Sequence, residues 1–122
     1  AVRGQQPAAG LAPARLRPDA ALWGHPLYIG VLQLELRLPG NDSLKGKRSV
    51  LRRILERTRE KFHCAAAETG RNDEHEFAEI GFSVVGNDHA FVNGCLDKIA
   101  NYVESLGLAQ TASQEWDILR FP

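Results

Sequence analysis

Apolar and polar residues alternate along the chain from Leu32 to Leu38, with leucine at each even position and a polar side chain at each odd one. A period of two with a single apolar face predicts a half-buried β-strand. The turn-forming residues at 39–42 end this strand. The folded part of the chain is therefore expected to open with a strand that starts near Leu27.

A second pattern, with helical spacing, runs from Leu44 to Phe62. Its apolar positions recur every three or four residues and fall on one side of a helical wheel, which predicts an amphipathic helix. Ser43 stands immediately before it, where a helix N-cap belongs. The apolar side of this helix is formed by Leu44, Leu51, Ile54, Leu55, Thr58 and Phe62.

Four further elements follow from the same kinds of pattern. A β-branched and aromatic run with alternating polarity predicts a strand, and an apolar stripe at helical spacing predicts a second helix. In chain order we expect a strand of small residues at 63–69, a polar turn at 70–76, a strand at 77–85, a helix capped by Asp88 and ended by Gly107, and a strand at 109–119.

The expected order of elements is therefore β-α-β-β-α-β. Two right-handed strand–helix–strand units interleave into a four-stranded antiparallel sheet with both helices on one face. This is the α+β, ferredoxin-like arrangement. It is found in enzymes, regulators and RNA-binding proteins alike, so the architecture does not decide the function.

Composition sets the domain count and the compartment that we expect. Residues 1–26 hold four of the six prolines and show no apolar periodicity, so they are expected to form a disordered tail before a single domain at 27–122. No apolar run approaches the ~20 residues of a membrane span. Cys64 and Cys95 have no metal or redox spacing and are expected to be reduced core thiols. These features favour a cytoplasmic protein with no membrane partner.

Charge is distributed unevenly along a chain whose net charge is zero. Residues 44–62 carry eight basic and two acidic side chains, a net charge of +6, and the rest of the chain carries −6. Lys45, Lys47 and Arg48 lie in the first helical turn, where cations are unfavourable unless an anion occupies the exposed N–H groups. The helix therefore points to a polyanion, for which RNA phosphate is the obvious candidate.

This pattern yields a candidate anion-binding or nucleic-acid-binding set on the first helix. Four of its cations fall within a sector of about 60° on the wheel; these are Lys45, Arg48, Arg52 and Arg59. Three alternatives stay open. The cations could form an ordinary solvated face, the acidic stretch at 73–79 could neutralise some of them, or they could bind another anionic partner. The full candidate set is Ser43, Lys45, Lys47, Arg48, Arg52, Arg53 and Arg59.

The open face of the sheet is a poorer candidate for RNA. RNA-binding modules of this architecture stack bases on aromatic side chains of the sheet. The positions expected to face outward carry no aromatic residue, and we therefore do not expect stacking there. They are Val31, Gln33, Glu35, Arg37, Glu79, Gly81, Ser83 and Val85.

Five stretches form a recognisable combination over the folded part of the chain: Gly30–Leu36, Ser43–Val50, Ala66–Glu68, Gly86–Asp88 and Glu115–Trp116. In this combination the chain resembles the YlxP-like family, small bacterial proteins of unknown function. The run Ser-Leu-Lys-Gly-Lys-Arg at 43–48 is its most specific part. The loop at 70–76, where family members often carry tryptophan, departs from the pattern. Genes of such proteins often lie beside those for translation initiation and ribosome maturation factors, which implies a link to RNA or the ribosome.

Other chemistry has little support in the sequence. The glycines at 40 and 46 lack the spacing of a phosphate loop, and the cluster at 73–76 has no second set of metal ligands. Acylphosphatases share this topology and carry a glycine-rich loop that ends in arginine after the first strand. The loop at 39–43 has one glycine and no basic residue. No catalytic constellation stands out, so we expect neither an enzyme nor a bound cofactor or metal.

The sequence therefore favours a noncatalytic binding protein that contacts ribosomal RNA or a small-subunit particle through its first helix. One alternative is a homo-oligomeric interaction module. In that case the small-residue strand at 64–69 would be a sheet edge that pairs with a second copy. A small acylphosphatase-like hydrolase is the remaining alternative.

Overall fold

The computed structural model describes residues 26–122. Its elements are β1 Leu27–Arg37, α1 Leu44–Phe62, β2 Ala65–Gly70, β3 Phe77–Gly86, α2 His89–Ser105 and β4 Gln110–Phe121. The order β-α-β-β-α-β is the predicted one. The prediction of a tail at 1–26 falls, except for Pro26, outside the described residues.

The four strands form one sheet in the order β2-β3-β1-β4. Every neighbouring pair is antiparallel, with β1 in the centre between β3 and β4. The predicted ferredoxin-like α+β arrangement is confirmed. β2 is a sheet edge, as expected, although it begins at Ala65 and continues to Gly70 rather than spanning 63–69.

The core lies between one face of the sheet and the two helices. Even-numbered residues of β1 and β3 point into it, because strand side chains alternate between the two faces. α1 packs beside β2 and against α2, and α2 packs over β1, β3 and β4. The buried apolar side chains include Leu32, Leu34, Leu36, Leu51, Ile54, Ile80, Phe82, Val92, Leu96, Ile99 and Val103.

Helix ends are fixed by the residues that the sequence singled out, with one exception. The Ser43 hydroxyl accepts a hydrogen bond from the Gly46 N–H at 3.0 Å, and Asp88 caps α2 by accepting from the Phe91 N–H at 2.8 Å. Gly107, just past α2, adopts a φ of +66°, which glycine allows without strain. His63 ends α1 in the left-handed region with a φ of 51°. It is therefore a cap and not the start of β2.

Two cysteines lie elsewhere than the pattern predicts, and Trp116 lies at the edge of the sheet. Cys64 is buried but sits between α1 and β2 instead of in a strand, and Cys95 is only half-buried. Trp116 is 56% exposed on the edge strand β4. It is paired with Leu32 and so faces the helix side of the sheet. It is therefore an edge aromatic and not part of the core.

Candidate functional site

Three arginines of α1 lie along one groove between this helix and β2. Arg48, Arg52 and Arg59 line it together with Leu51, Leu55 and Glu68, and the groove encloses about 320 Å³. Residues four and eleven positions apart return to the same side of a helix of 3.6 residues per turn. The helical spacing therefore places three guanidinium groups on one side of α1. We call this feature the arginine groove.

The cations of the arginine groove are not neutralised by the acidic stretch at 73–79. Within residues 26–122 no carboxylate lies within ion-pair distance of Arg48 or Arg52. The acidic side chains of that stretch contact other groups instead. Glu74 pairs with Arg71 at 3.0 Å, Glu76 accepts from the Gly40 N–H, and Glu79 accepts from the Gln33 amide.

Arg59 differs from its two neighbours because it also contacts the sheet edge. Its guanidinium donates a hydrogen bond to the backbone carbonyl of Ala66 in β2. A guanidinium has five N–H donors, so this bond leaves others for a ligand. The contact also occupies a carbonyl of an edge strand, where a second strand would have to pair.

Lys47 is buried and is not available to an anion at the surface of α1, contrary to the prediction. Its side chain is only 1% exposed, and its ammonium group lies 3.5 Å from the Glu68 carboxylate. A buried ammonium is tolerated when its donors are satisfied in this way. Its hydrogen bonds go to three backbone carbonyls, those of Arg71 at 2.7 Å, Phe77 at 3.1 Å and Asn72 at 3.4 Å.

A signal for this burial is present in the sequence. Lys47 precedes Leu51, Ile54 and Thr58 by four, seven and eleven residues, which places it on the apolar stripe of α1. A lysine at such a position must have internal partners. These partners lie in the connection between β2 and β3 and in the adjoining strand ends, more than twenty residues away in the sequence. The sequence did not predict how this connection runs past α1.

The remaining members of the predicted set lie outside the arginine groove. The Ser43 hydroxyl is used for helix capping. Lys45 is exposed in the first turn of α1. It lies seven residues before Arg52, which places it on nearly the same side of the helix. Arg53 is exposed as well, but it follows Arg52 directly, and one residue turns a helix by about 100°. Only Lys45 is therefore positioned to extend the cationic surface toward the start of the helix.

Glu68 and the two leucines are site residues that the sequence analysis missed. Glu68 lies in a strand whose neighbours are alanine, threonine and glycine, so alternation there is hard to read. Leu51 and Leu55 were assigned to the core, where they are indeed buried. Their outer edges form the apolar floor of the groove.

The open face of the sheet carries a larger depression of about 510 Å³, whose lining includes Ala65, Ala67, Gly81 and Ser83. The charged side chains of its lining are both acidic, Glu115 and Asp117, so it offers a phosphate no cation of the kind that the arginine groove provides. We therefore regard the smaller groove as the functional candidate.

The expectation that the open face lacks aromatic residues needs correction at both ends of the sheet. Phe77 is paired with Arg37 and Phe121 with Leu27, which places both on that face. The guanidinium of Arg71 lies 4.6 Å from the centre of the Phe77 ring. Arg71 in turn is held at 3.0 Å by Glu35. Arg71 thus covers one face of the Phe77 ring. In the register of β1, β2 and β3, the centre of the open face carries no aromatic side chain.

Neither cysteine lines the arginine groove. Burial raises the pKa of the Cys64 thiol, although a backbone hydrogen bond and the charge of Arg59 act in the opposite direction. Within residues 26–122 no group of three or more His, Cys, Asp and Glu side chains is arranged to hold a metal ion. In the same part of the chain, neither helix combines the length and apolar character needed to cross a bilayer.

The chain is similar to several known proteins. It is 30% identical over 77 residues to "Uncharacterized protein YlxP" of Bacillus subtilis, which covers 63% of this chain and 84% of that protein. Among solved structures it is similar to the de novo designed protein Foldit4, with a TM-score of 0.44 and 11% identity over 79% of this chain and 97% of that one. A structural genomics protein, YJCS, gives a TM-score of 0.41 and 13% identity over 73% and 96% of the two chains.

The match to a family model covers more of the chain than any of the five stretches named in the sequence analysis. Residues 29–116, from β1 into β4, match the family model described as "Protein of unknown function (DUF503)". This match and the similarity to YlxP confirm the resemblance that the sequence suggested. The chain belongs to the DUF503 family.

Proposed function

We propose that this domain is a noncatalytic RNA-binding protein that contacts ribosomal RNA or a small-subunit particle through the arginine groove. One observation carries the proposal. Arg48, Arg52 and Arg59 lie side by side in a groove, and the described part of the chain places no carboxylate within ion-pair distance of the first two. Three clustered cations, two of them without a carboxylate partner in residues 26–122, are best satisfied by a polyanion.

The chemistry of guanidinium supports phosphate as the ligand. Arginine presents a planar fork of donors that matches two phosphate oxygens, and it is weakly hydrated compared with an ammonium group. Each phosphate that is neutralised releases condensed counterions, which drives binding at low salt. A groove along a helix can follow a nucleic acid backbone over several nucleotides.

The direct test is a salt titration of binding to fluorescein-labelled, single-stranded fragments of small-subunit ribosomal RNA. Three phosphate contacts predict that log affinity falls with log salt at a slope of about −2, since each contact to a single strand contributes roughly −0.7. Fluorescence anisotropy with the full chain between 50 and 200 mM salt measures this slope. A slope near zero would contradict the proposal.

α1 itself offers a matched control for the location of the site. Arg48 and Arg52 are four residues apart in the groove, and Arg53 and Arg57 are four residues apart on another exposed side. The double variant Arg48→Ala/Arg52→Ala should lose most of the salt-dependent affinity. Arg53→Ala/Arg57→Ala removes the same charge and should retain it. Equal losses in the two variants would show that net charge, and not the groove, governs binding.

A second measurement addresses the biological setting. If the ligand is a ribosomal assembly particle, the wild-type chain should co-sediment with purified small-subunit particles, and charge reversal of Arg48, Arg52 and Arg59 to glutamate should abolish this. Binding to naked RNA fragments without co-sedimentation would exclude the small subunit as the partner.

The alternatives from the sequence make different predictions. Dimerisation through residues 64–69 predicts a dimer mass in solution. A dimer that does not bind nucleic acid would identify the protein as an interaction module instead of an RNA-binding protein. Hydrolysis of an acyl phosphate would identify an enzyme. The hydrogen bond from Arg59 to the Ala66 carbonyl occupies part of the required sheet edge, so we place RNA binding first.

A further inference from the structure

The arginine groove contains a carboxylate whose presence phosphate binding does not explain. Glu68 lines the groove together with Arg48, Arg52 and Arg59. A carboxylate next to a phosphate is repelled by it, and this repulsion grows as water is excluded. Pairing with Lys47 accounts for one of the two Glu68 oxygens and leaves the other to be explained.

The two oxygens of Glu68 lie in different surroundings. Oε2 is buried and lies 3.5 Å from the Lys47 ammonium group. Pairing with Lys47 explains this oxygen and fixes the orientation of the carboxylate, because Lys47 is itself held by three backbone carbonyls.

The other oxygen, Oε1, is available to a ligand. Glu68 keeps 26% of its side chain exposed. Oε1 accepts no hydrogen bond from residues 26–122 and is not buried. It is therefore accessible at the groove. A groove lined by cations thus presents one fixed hydrogen-bond acceptor.

We infer that Glu68 Oε1 selects a guanine base when RNA occupies the arginine groove. An ionised carboxylate only accepts hydrogen bonds. Guanine is the standard RNA base whose Watson–Crick edge carries two adjacent donors, N1–H and the N2 amino group, and a single carboxylate oxygen with two lone pairs can accept from both. The other three bases place an acceptor beside each donor on that edge, and a carboxylate repels an acceptor. Unstacked bases of single-stranded RNA are read on this edge.

The rest of the groove suits such a base. Leu51 and Leu55 form an apolar floor on which the flat face of a base can rest, while the arginines on the rim hold the flanking phosphates. Phosphate contacts position a nucleic acid and base contacts give specificity. The inference rests on the RNA binding proposed above and adds a base preference to it.

The first test leaves the protein unchanged, so folding of a variant cannot affect it. Fluorescein-labelled uridine 12-mers that carry one central G, A, C or U are titrated with the full wild-type chain at fixed salt. The G-containing oligomer should bind about tenfold more tightly than the others, in the range of a hydrogen-bonded base contact. Replacing that G by inosine, which lacks the N2 amino group, should remove most of the preference. Replacing it by 7-deazaguanine, which keeps the Watson–Crick edge, should not.

The second test changes the acceptor. Glu68→Gln should abolish the preference for guanine and raise affinity for the all-uridine oligomer, because a negative charge leaves the groove. Glu60→Gln makes the same charge change on α1 away from the groove lining and should leave the preference intact. Thermal melting reports whether the Glu68 variant folds, and if it does not, the inosine comparison decides alone.

The possible failures separate the two proposals. Salt-dependent binding with equal affinity for all four bases would overturn the role of Glu68 and leave RNA binding in place. A guanine preference that survives Glu68→Gln would also overturn it. Absence of salt-dependent binding to every oligomer would overturn both proposals.

Discussion

The ammonium group of Lys47 lies 3.5 Å from Glu68 Oε2, and this pair joins the first turn of α1 to the edge strand β2. Lys47 also donates to carbonyls at both ends of the connection between β2 and β3. A single side chain therefore fixes three parts of the fold relative to one another. It also fixes the wall of the arginine groove, since Glu68 lines that groove.

Loss of this buried cation should destabilise the fold strongly. Lys47→Met keeps the length of the side chain but leaves Glu68 Oε2 and several carbonyls without a donor. Removing one partner of a buried ion pair predicts a loss of about 3 kcal/mol in the free energy of unfolding. Lys45→Met removes an exposed lysine two residues away and should change that free energy by less than about 0.5 kcal/mol. Urea denaturation followed by circular dichroism measures both. Similar values for the two variants would contradict the structural role of Lys47.

Two glycines should respond to the same substitution with opposite signs. A Cβ added at Gly30 would lie 2.6 Å from Val92 Cγ1 and 3.1 Å from Leu96 Cδ1, because α2 packs directly onto β1 there. Gly30→Ala should therefore cost about 1–3 kcal/mol by overpacking. Gly94 lies within α2 with nothing within 4 Å of its added Cβ, so Gly94→Ala should stabilise by about 0.5–1 kcal/mol through helix propensity. Midpoints of urea denaturation that shift in the same direction would refute the described contact between α2 and β1.

The two cysteines should differ in reactivity. Burial raises the pKa of the Cys64 thiol, so at a given pH less of it is thiolate, the form that reacts. Cys95 is only half-buried. Iodoacetamide at pH 8 should therefore label Cys95 before Cys64 in the folded chain, as read by peptide mass spectrometry, and denaturant should remove the difference. Labelling of Cys64 first would show that it is not buried.

The same shift predicts how stability changes with alkaline pH. The Cys64 thiol holds its proton more tightly when folded than when unfolded. Its contribution to stability is complete below the pKa of the unfolded thiol and is lost as the pH rises through the raised folded value. Cys64→Ser should weaken this alkaline decrease relative to Cys95→Ser when urea midpoints are compared from pH 7 to 10. An identical decrease in both variants would mean that Cys64 does not contribute.

Self-association should depend on Arg59. Its hydrogen bond to the Ala66 carbonyl occupies part of the β2 edge, and Arg59→Ala would free that carbonyl for a second strand. The variant should dimerise at least about tenfold more tightly than the wild-type chain, because a hydrogen bond to a charged group is worth about 1.5 kcal/mol. Arg48→Ala, in the same groove but with no hydrogen bond to the described part of β2, serves as the control. If sedimentation equilibrium gives the same dimer affinity for the two variants, the β2 edge is not the surface through which the chain self-associates.

The fold could be predicted from the sequence wherever an alternating or helical pattern extended over enough residues to be recognised. The alternating leucines of β1 and the two helical stripes have the predicted type and position. β2 was misplaced at its ends because its run of three alanines carries no alternation. The left-handed backbone of His63, which separates α1 from β2, is also not visible in a residue that is not glycine.

The candidate site was predictable only as far as one helix determines it. The spacing of Arg48, Arg52 and Arg59 placed them together without any tertiary information. The contrast between Lys45 and Lys47 was beyond such reasoning. Both are lysines of one short motif, yet one is exposed, and the other is held by carbonyls more than twenty residues away. Similarity in this motif therefore reports in part a requirement of folding rather than a shared ligand.

Because both helices pack on a single side of the sheet, the depression lined by Ala65, Ala67 and Gly81 points away from them. A nucleic acid strand lodged against α1 would leave that opposite surface unobstructed.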